Sequence, residues 1–306
     1  MDFYSNGKLM ISGEYFALFG AMVLAVPLRL GQSMKVQPAD GNQKTLTWIA
    51  KEKGKEWFRE EFFDGGFQYK GPRTGQSDYL QALLLAAGNC NPAFEAMAMN
   101  TMVVTNTRFP QEWGLGSSSA LISNLASWAG VDPYKLHFLT SNGSGYDIAC
   151  ARSQTPIVYK YNGKELPPFV QPVSFNPPFS GNLWFVYSGK KQSSAQSIGM
   201  IRQEAFSQKQ AGRITDISLK MIAESSLDMF MKLMRMHEQI VSEAIDKCPV
   251  QQERFDDFPG AVKSLGAWGG DFVLAATHLD ELLVKQYFYS KGCSVVLNFQ
   301  ELAIWN

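Results

Sequence analysis

Cysteine and histidine are scarce in this chain of 306 residues, with 4 of the first and 3 of the second. Cys90, Cys150, Cys248 and Cys293 lie far apart and form no CxxC pair, which excludes a disulfide framework and a zinc site built on cysteine. His137, His237 and His278 fall in no metal-ligand spacing. Net charge is also missing: 28 Lys+Arg cancel 28 Asp+Glu, without the cationic surplus that a general nucleic-acid binder uses against phosphates. There is no long hydrophobic run. The stretch from Tyr15 to Leu30 is interrupted by Gly20, Pro27 and Arg29, so no membrane span is expected. The opening MDFYSNGKLMISGEYF lacks the basic start, apolar run and small-residue cleavage site of a signal peptide, and a cytoplasmic protein is expected. Internal repeats and low-complexity tracts are absent as well. What remains is 45% hydrophobic and 18% charged, a composition that excludes disorder and supplies ample core.

The pattern along the chain is mixed α+β in two lobes, with a proline cluster (Pro167, Pro168, Pro172, Pro177, Pro178) near the expected boundary. The division drawn is residues 1–165 and 166–306. Lys8 to Met34 is β-rich and punctuated by glycine. Ser77 to Ala87 and Ser117 to Ala129 are expected helices, closed by Gly88 and Gly130. Asp132-Pro133 gives an N-cap and first-turn proline for another. Met97 to Asn106, Ile157 to Tyr161 and Leu183 to Tyr187 are expected strands. Helices are expected over Ser193–Gln210 and Thr215–Ala244, the second rich in methionine, which serves as core filler or as the lining of an adaptable site. Strands at Val262–Leu265, Phe272–Ala276 and Ser294–Phe299, with a helix from Asp280 to Ser290, complete the chain.

Three glycine-rich segments carry the chemistry. In Pro110-Gln111-Glu112-Trp113-Gly114-Leu115-Gly116-Ser117-Ser118-Ser119, a strand runs into a Gly/Ser loop that opens a helix. Glycines let the backbone approach a ligand closely, and a helix start presents unpaired N–H groups and partial positive charge, which together make a phosphate cradle. It is neither a Walker A loop nor a dinucleotide fingerprint, since the Gly-Lys-Ser/Thr and the third glycine are missing. The plain alternative is a structural helix cap. Gly266-Ala267-Trp268-Gly269-Gly270-Asp271 joins two expected strands, and its plain alternative is a tight hairpin with a bulge. In Asn142-Gly143-Ser144-Gly145-Tyr146-Asp147, a carboxylate follows a flexible loop, and alone it is a helix-start acid.

Taken together with Gly7-Lys8-Leu9-Met10-Ile11-Ser12-Gly13-Glu14-Tyr15, the first two of these segments resemble the three ordered motifs of the GHMP small-molecule kinases over nearly the whole chain. The opening motif and the Gly-Ser-Gly-Tyr-Asp run resemble phosphomevalonate kinases more than mevalonate kinases, which usually carry His after that Glu. The resemblance implies a two-lobed fold, a ribosomal-protein-S5-like N-terminal lobe and a ferredoxin-like C-terminal α/β sandwich. It implies ATP and Mg²⁺ as cofactors and a small-molecule phosphate acceptor as partner, most nearly phosphomevalonate or mevalonate. The alternatives are another small acceptor (a sugar, sugar phosphate or homoserine-like alcohol) and a catalytically silent nucleotide- or metabolite-binding protein.

Residue by residue, the resemblance implies phosphate binding by Pro110, Gly114, Leu115, Gly116, Ser117, Ser118, Ser119, Gly266, Gly269 and Gly270, with Ser117 or Ser118 on the metal. Lys8 and Asp147 are the expected catalytic pair. Glu14, Tyr15, Ser144, Gly145, Lys190, Ser193, Ser194 and Lys263 are expected to grip the acceptor, and Asn106 and Arg108 are candidate walls for the base. Two departures stand out. Trp268 replaces a usual glycine, which narrows the approach to phosphates or alters nucleotide use. The acidic metal ligand that mevalonate kinases carry upstream of the catalytic Asp has no counterpart between Asp132 and Asp147.

Overall fold

Alternating apolar residues in the first forty positions fold into two long strands, β1 (Asp2–Ser12) and β2 (Val23–Pro38). Gly13, at φ 105°, turns the chain after β1, where a Cβ would lie 2.1 Å from Val23 Cγ1. The structure is a computed structural model and describes residues 1–39, 44–189 and 205–305. The fold is mixed α+β and divides into two compact units, each assembled from separate stretches of chain. The division expected at 165/166 falls instead at Arg152/Ser153, and Lys8–Arg29 and Glu112–Gly114 belong with the C-terminal residues.

The first unit comprises Met1–Gly7, Leu30–Gln111 and Leu115–Arg152. Gln32–Pro38 of β2 pairs antiparallel with β6 (Thr101–Thr107), which lies parallel to β3 (Thr45–Glu52). β3 forms a hairpin with β4 (Lys55–Phe63), and β5 (Gln68–Tyr69) adds an edge. The unit's helices are α1 (Gly75–Cys90), α2 (Phe94–Ala98), α3 (Ser117–Ala129), α4 (Pro133–Thr140) and α5 (Tyr146–Arg152). α1 starts two residues earlier than expected because the Thr74 side chain caps it by accepting from Ser77 N. Asp132 caps α4 as expected, accepting from the backbone of Tyr134 and Lys135. Trp48, Phe94 and Trp128 form the centre of the core, the Phe94 ring edge-on to Trp128 at 4.9 Å.

The second unit comprises Lys8–Arg29, Glu112–Gly114 and Ser153–Asn306. Val23–Ala25 of β2 pairs with β7 (Ile157–Lys160), which pairs with β8 (Phe169–Pro172). A separate antiparallel sheet has the order β10 (Gly260–Leu265), β11 (Phe272–Thr277), β9 (Leu183–Tyr187), β12 (Val296–Asn298). The helices are α6 (Gln208–Ala223), α7 (Leu227–Ile245), α8 (Val250–Arg254), α9 (Glu281–Ser290) and α10 (Phe299–Leu302). The single helix expected over 215–244 is broken at Glu224–Ser226, where the Ser226 side chain caps α7. Met231 and Met234 are buried in α7, whereas Met229 and Met236 are exposed, so the methionines are core on one face only. Most of the helix expected at 193–210 lies outside the described residues. Among the described residues no helix is long and apolar enough to cross a membrane.

Candidate phosphate-binding and catalytic sites

Gly116 adopts φ 94° and is the N-cap of α3, and no side chain caps this helix. Ala120 N donates to Gly116 O, the first backbone bond of the helix. The preceding N–H groups of Ser117, Ser118 and Ser119 therefore have no intrahelical acceptor, the arrangement that binds anions. Ser119 is buried and its hydroxyl donates to Gly116 O at 2.9 Å, which closes the loop rather than offering a ligand contact. Leu115 is buried and anchors the segment from below. Ser117 is half-buried and Ser118 exposed, so these two hydroxyls are presented. Polar bonds support the helix: Ser5 Oγ is hydrogen-bonded to Ser123 Oγ and Asn124 Oδ1, and Asn124 donates to Gln32 O. Gln32 donates in turn to Thr107 Oγ1 at 3.1 Å and Ser117 O at 3.4 Å.

A cavity of about 180 Å³ adjoins Ser117 and Ser118, with Trp48, Trp57, Phe58, Tyr79, Thr105 and Thr107 among its walls. It is smaller than a drug-sized pocket of roughly 300–1,000 Å³ and suits one flat heterocycle. Asn106 and Arg108, the expected walls for the base, do not line it. Alternation along β6 puts Thr105 and Thr107 on the cavity side, while Asn106 accepts from Gly54 N and Arg108 lies over the Tyr4 ring at 5.5 Å. The aromatic walls come from β3, β4 and α1, segments whose sequence showed only scattered aromatics.

Asp147 sits in the first turn of α5, half-buried, behind Gly145 at φ 83°. Its charge acts on two phenols of the same unit. Burial raises the Tyr79 and Tyr134 hydroxyls above their ordinary acidity range, Tyr134 to about 12, and Asp147 pushes both the same way. Tyr79 is hydrogen-bonded to Ser118. Asp147, Tyr79 and the loop serine thus share one neighbourhood. Ser144 is buried and sits in the loop beside Gly145.

In the second unit, Lys8 donates from Nζ to Gly114 O at 3.1 Å. Gly114 has φ 65°, and a Cβ there would fall 2.2 Å from Asp271 Oδ2. Asp271 itself holds a left-handed φ of 47° without being glycine, and its carbonyl accepts from Ser188 N. Trp113 is tilted against Tyr187 and edge-on to Phe272, and Tyr187 donates to Glu112 O. The third glycine segment is the β10–β11 hairpin, with Gly266 at φ 75° and Gly269 at φ 76°. Trp268 N donates to Tyr15 Oη at 2.8 Å, and the Trp268 indole donates to Cys248 O at 3.2 Å. The bulky side chain is therefore pinned to the residues after α7. Asp271 and Trp113 lie inside the glycine-rich segments without being expected site residues, and nothing in the local pattern of Tyr79 marks it.

Glu14 and Lys263 form a buried pair. They are 3% and 0% exposed and bonded to each other, Nζ to Oε1 at 2.6 Å. His237 and Glu238, also buried, complete the group, with Glu238 accepting from Ser264. Glu14 and Lys263, expected at the acceptor, are thus spent on each other. Tyr15 serves the hairpin as described. Lys190, Ser193 and Ser194 lie outside the described residues.

The donors presented beside the loop are serine hydroxyls and one carboxylate, hard oxygens of the kind Mg²⁺ takes. Among the described residues no group of three or more His, Cys, Asp or Glu could hold a metal unaided.

No protein-family model matches the chain, and no curated protein matches it in sequence. Solved structures do. The phosphomevalonate kinase of Streptococcus pneumoniae, in complex with phosphomevalonate and AMPPNP, superimposes with a TM-score of 0.73 at 14% identity, covering 97% of this chain and 99% of that one. Methanococcus jannaschii mevalonate kinase gives 0.67 at 14% identity, over 100% and 98%. Lactococcus lactis galactokinase, complexed with galactose, gives 0.67 at 13%, over 95% and 88%. The chain therefore has the fold of the GHMP small-molecule kinases. Within that fold it is similar to phosphomevalonate and mevalonate kinases along its whole length.

Proposed function

We propose that this protein is an ATP-dependent kinase of a small anionic metabolite, phosphomevalonate ahead of mevalonate. The observation that carries the proposal is the uncapped start of α3 at Gly116, set beside an aromatic cavity of a size for one base. In this proposal the cavity takes adenine, and the N–H groups of Ser117 to Ser119 take the phosphates. The 14% identity to the phosphomevalonate kinase supports the acceptor class through fold alone, and the sequence motifs add the preference within it.

Phosphoryl transfer needs alignment and charge neutralisation more than covalent chemistry. Lys8, held at Gly114 O, contributes positive charge to the transferring group. Asp147 orients the acceptor oxygen. A phosphate acceptor is ionised near neutral pH, so Asp147 then has little proton to remove and acts mainly by orientation. Ser117 and Ser118 would hold Mg²⁺, which when bound neutralises charge on the phosphates.

ATP consumption measured across mevalonate, phosphomevalonate, homoserine and several sugars tests the proposal. Turnover with phosphomevalonate or mevalonate above the others is expected. Turnover with a sugar alone would change the acceptor. Nucleotide binding without turnover on any acceptor would mean a silent binding protein. Asp147→Asn should lower kcat by about two to four orders of magnitude, with the Kd for ATP within a factor of a few. An unchanged kcat removes Asp147 from the mechanism.

A further inference from the structure

The Tyr79 hydroxyl meets the Ser118 hydroxyl, and both residues line the aromatic cavity beside the start of α3. Tyr79 is 37% exposed and Ser118 is exposed, so water would satisfy either hydroxyl if the other were removed. Such a bond adds little to stability. Its consequence is direction. A serine hydroxyl has one proton and two lone pairs, and its rotor turns freely unless a partner fixes it. With Tyr79 as partner, the Ser118 lone pairs have a set orientation at the mouth of the phosphate loop. The floor beneath is polar and incompletely satisfied: Gln32, 5% exposed, lines the same cavity and leaves Oε1 without a hydrogen-bond partner.

We propose that Tyr79 is a positioning residue for the divalent cation, acting through Ser118. This inference rests on the proposed kinase function. If Ser118 held the cation, its hydroxyl would donate to Tyr79 Oη and leave the oxygen lone pairs for the ion. Tyr79 supplies the acceptor that this arrangement requires, on a helix outside the loop. Without the phenol oxygen, the Ser118 proton must find water or point toward the ion. Removing a group that orients a metal ligand typically costs about 10- to 100-fold in metal affinity.

The test uses Mn²⁺ as the probe, with free Mn²⁺ followed by electron paramagnetic resonance in the presence of ATP. The proteins are the full chain, Tyr79→Phe, Ser118→Ala and the double variant. Tyr79→Phe keeps the ring and removes one oxygen, and the melting temperature of each variant checks folding. Three results are expected together for Tyr79→Phe: about 10-fold weaker Mn²⁺ binding, unchanged ATP affinity in EDTA, and turnover restored by excess Mg²⁺. In the Ser118→Ala background, Tyr79→Phe should change nothing further, because a residue that acts through another has no effect once that other is gone. Unchanged Mn²⁺ affinity in Tyr79→Phe, or an equal loss with Ser118 absent, overturns the inference while leaving the kinase function standing. An unmodified protein that binds no nucleotide, with or without metal, removes the function and this role together.

Discussion

Asp271 and Gly114 constrain each other, and neither makes sense alone. Asp271 tolerates a backbone conformation that non-glycine residues rarely adopt, and its carboxylate fills the space where a side chain on Gly114 would stand. Gly114→Ala therefore meets two obstacles, a collision at 2.2 Å with Asp271 Oδ2 and a φ of 65° that alanine resists. The expected outcome is a rise of more than tenfold in the KM for ATP, because the carbonyl that Lys8 holds is displaced, with a smaller loss of thermal stability. Steady-state kinetics beside a melting curve separate the two. The buried pair behaves differently. Lys263→Met leaves Glu14 without its cationic partner in a site that is 3% exposed. Removing one member of a buried pair costs about 3–5 kcal/mol, so the variant should unfold at clearly lower denaturant concentration.

Elements explain why the site was only partly legible. The start of α3 was visible because glycine, serine and an apolar helix follow one another within ten residues of sequence. The β10–β11 hairpin was visible for the same reason. The cavity was not, since Trp48, Trp57 and Tyr79 come from β3, β4 and α1, and each looks like an ordinary core or surface aromatic in its own element. The break between α6 and α7 was hidden because Glu224-Ser225-Ser226 is compatible with helix, and only the Ser226 cap shows the new start. The short segment Gln111–Trp113 precedes the glycine–serine loop, and the Trp113 ring packs on Tyr187 and Phe272. Trp113→Ala removes that support. The Kd for ATP should weaken several-fold with the sheet itself intact, as isothermal titration and far-ultraviolet circular dichroism would show together.

At the scale of the molecule, the α+β class and the order of the glycine motifs were readable, while the pairing of Glu14 with Lys263 across 249 positions was not. Motif spacing records neighbours in sequence, and this contact is made only when β1, α7 and β10 pack. That packing has a consequence for stability. Gly13 N donates to His237 Nε2 at 2.8 Å, so Nε2 carries the lone pair. Glu14 Oε2 lies 3.2 Å from the same nitrogen and has no other partner. Two acceptors face each other there, and a proton on Glu14 relieves their repulsion. Burial favours that proton and raises Glu14 from its ordinary 4.5 to about 7, against the opposing pull of Lys263. A carboxyl with a raised folded-state pKa binds its proton more tightly in the folded chain. Its contribution is fully present below about pH 4.5 and is lost as pH rises to about 7. Glu238, also raised by burial, acts in the same direction, whereas His237, lowered by burial and by Lys263, costs stability as pH falls below 6.5. Overall stability therefore mixes opposing slopes, and the Glu14 part must be isolated by difference. Glu14→Gln keeps the shape of the protonated acid and cannot ionise. Its stability relative to the unmodified protein should rise steadily between pH 5 and pH 7 and level off above, by chemical denaturation at each pH. A difference that stays constant over that range would show that Glu14 does not titrate there, and that Lys263 holds it ionised throughout.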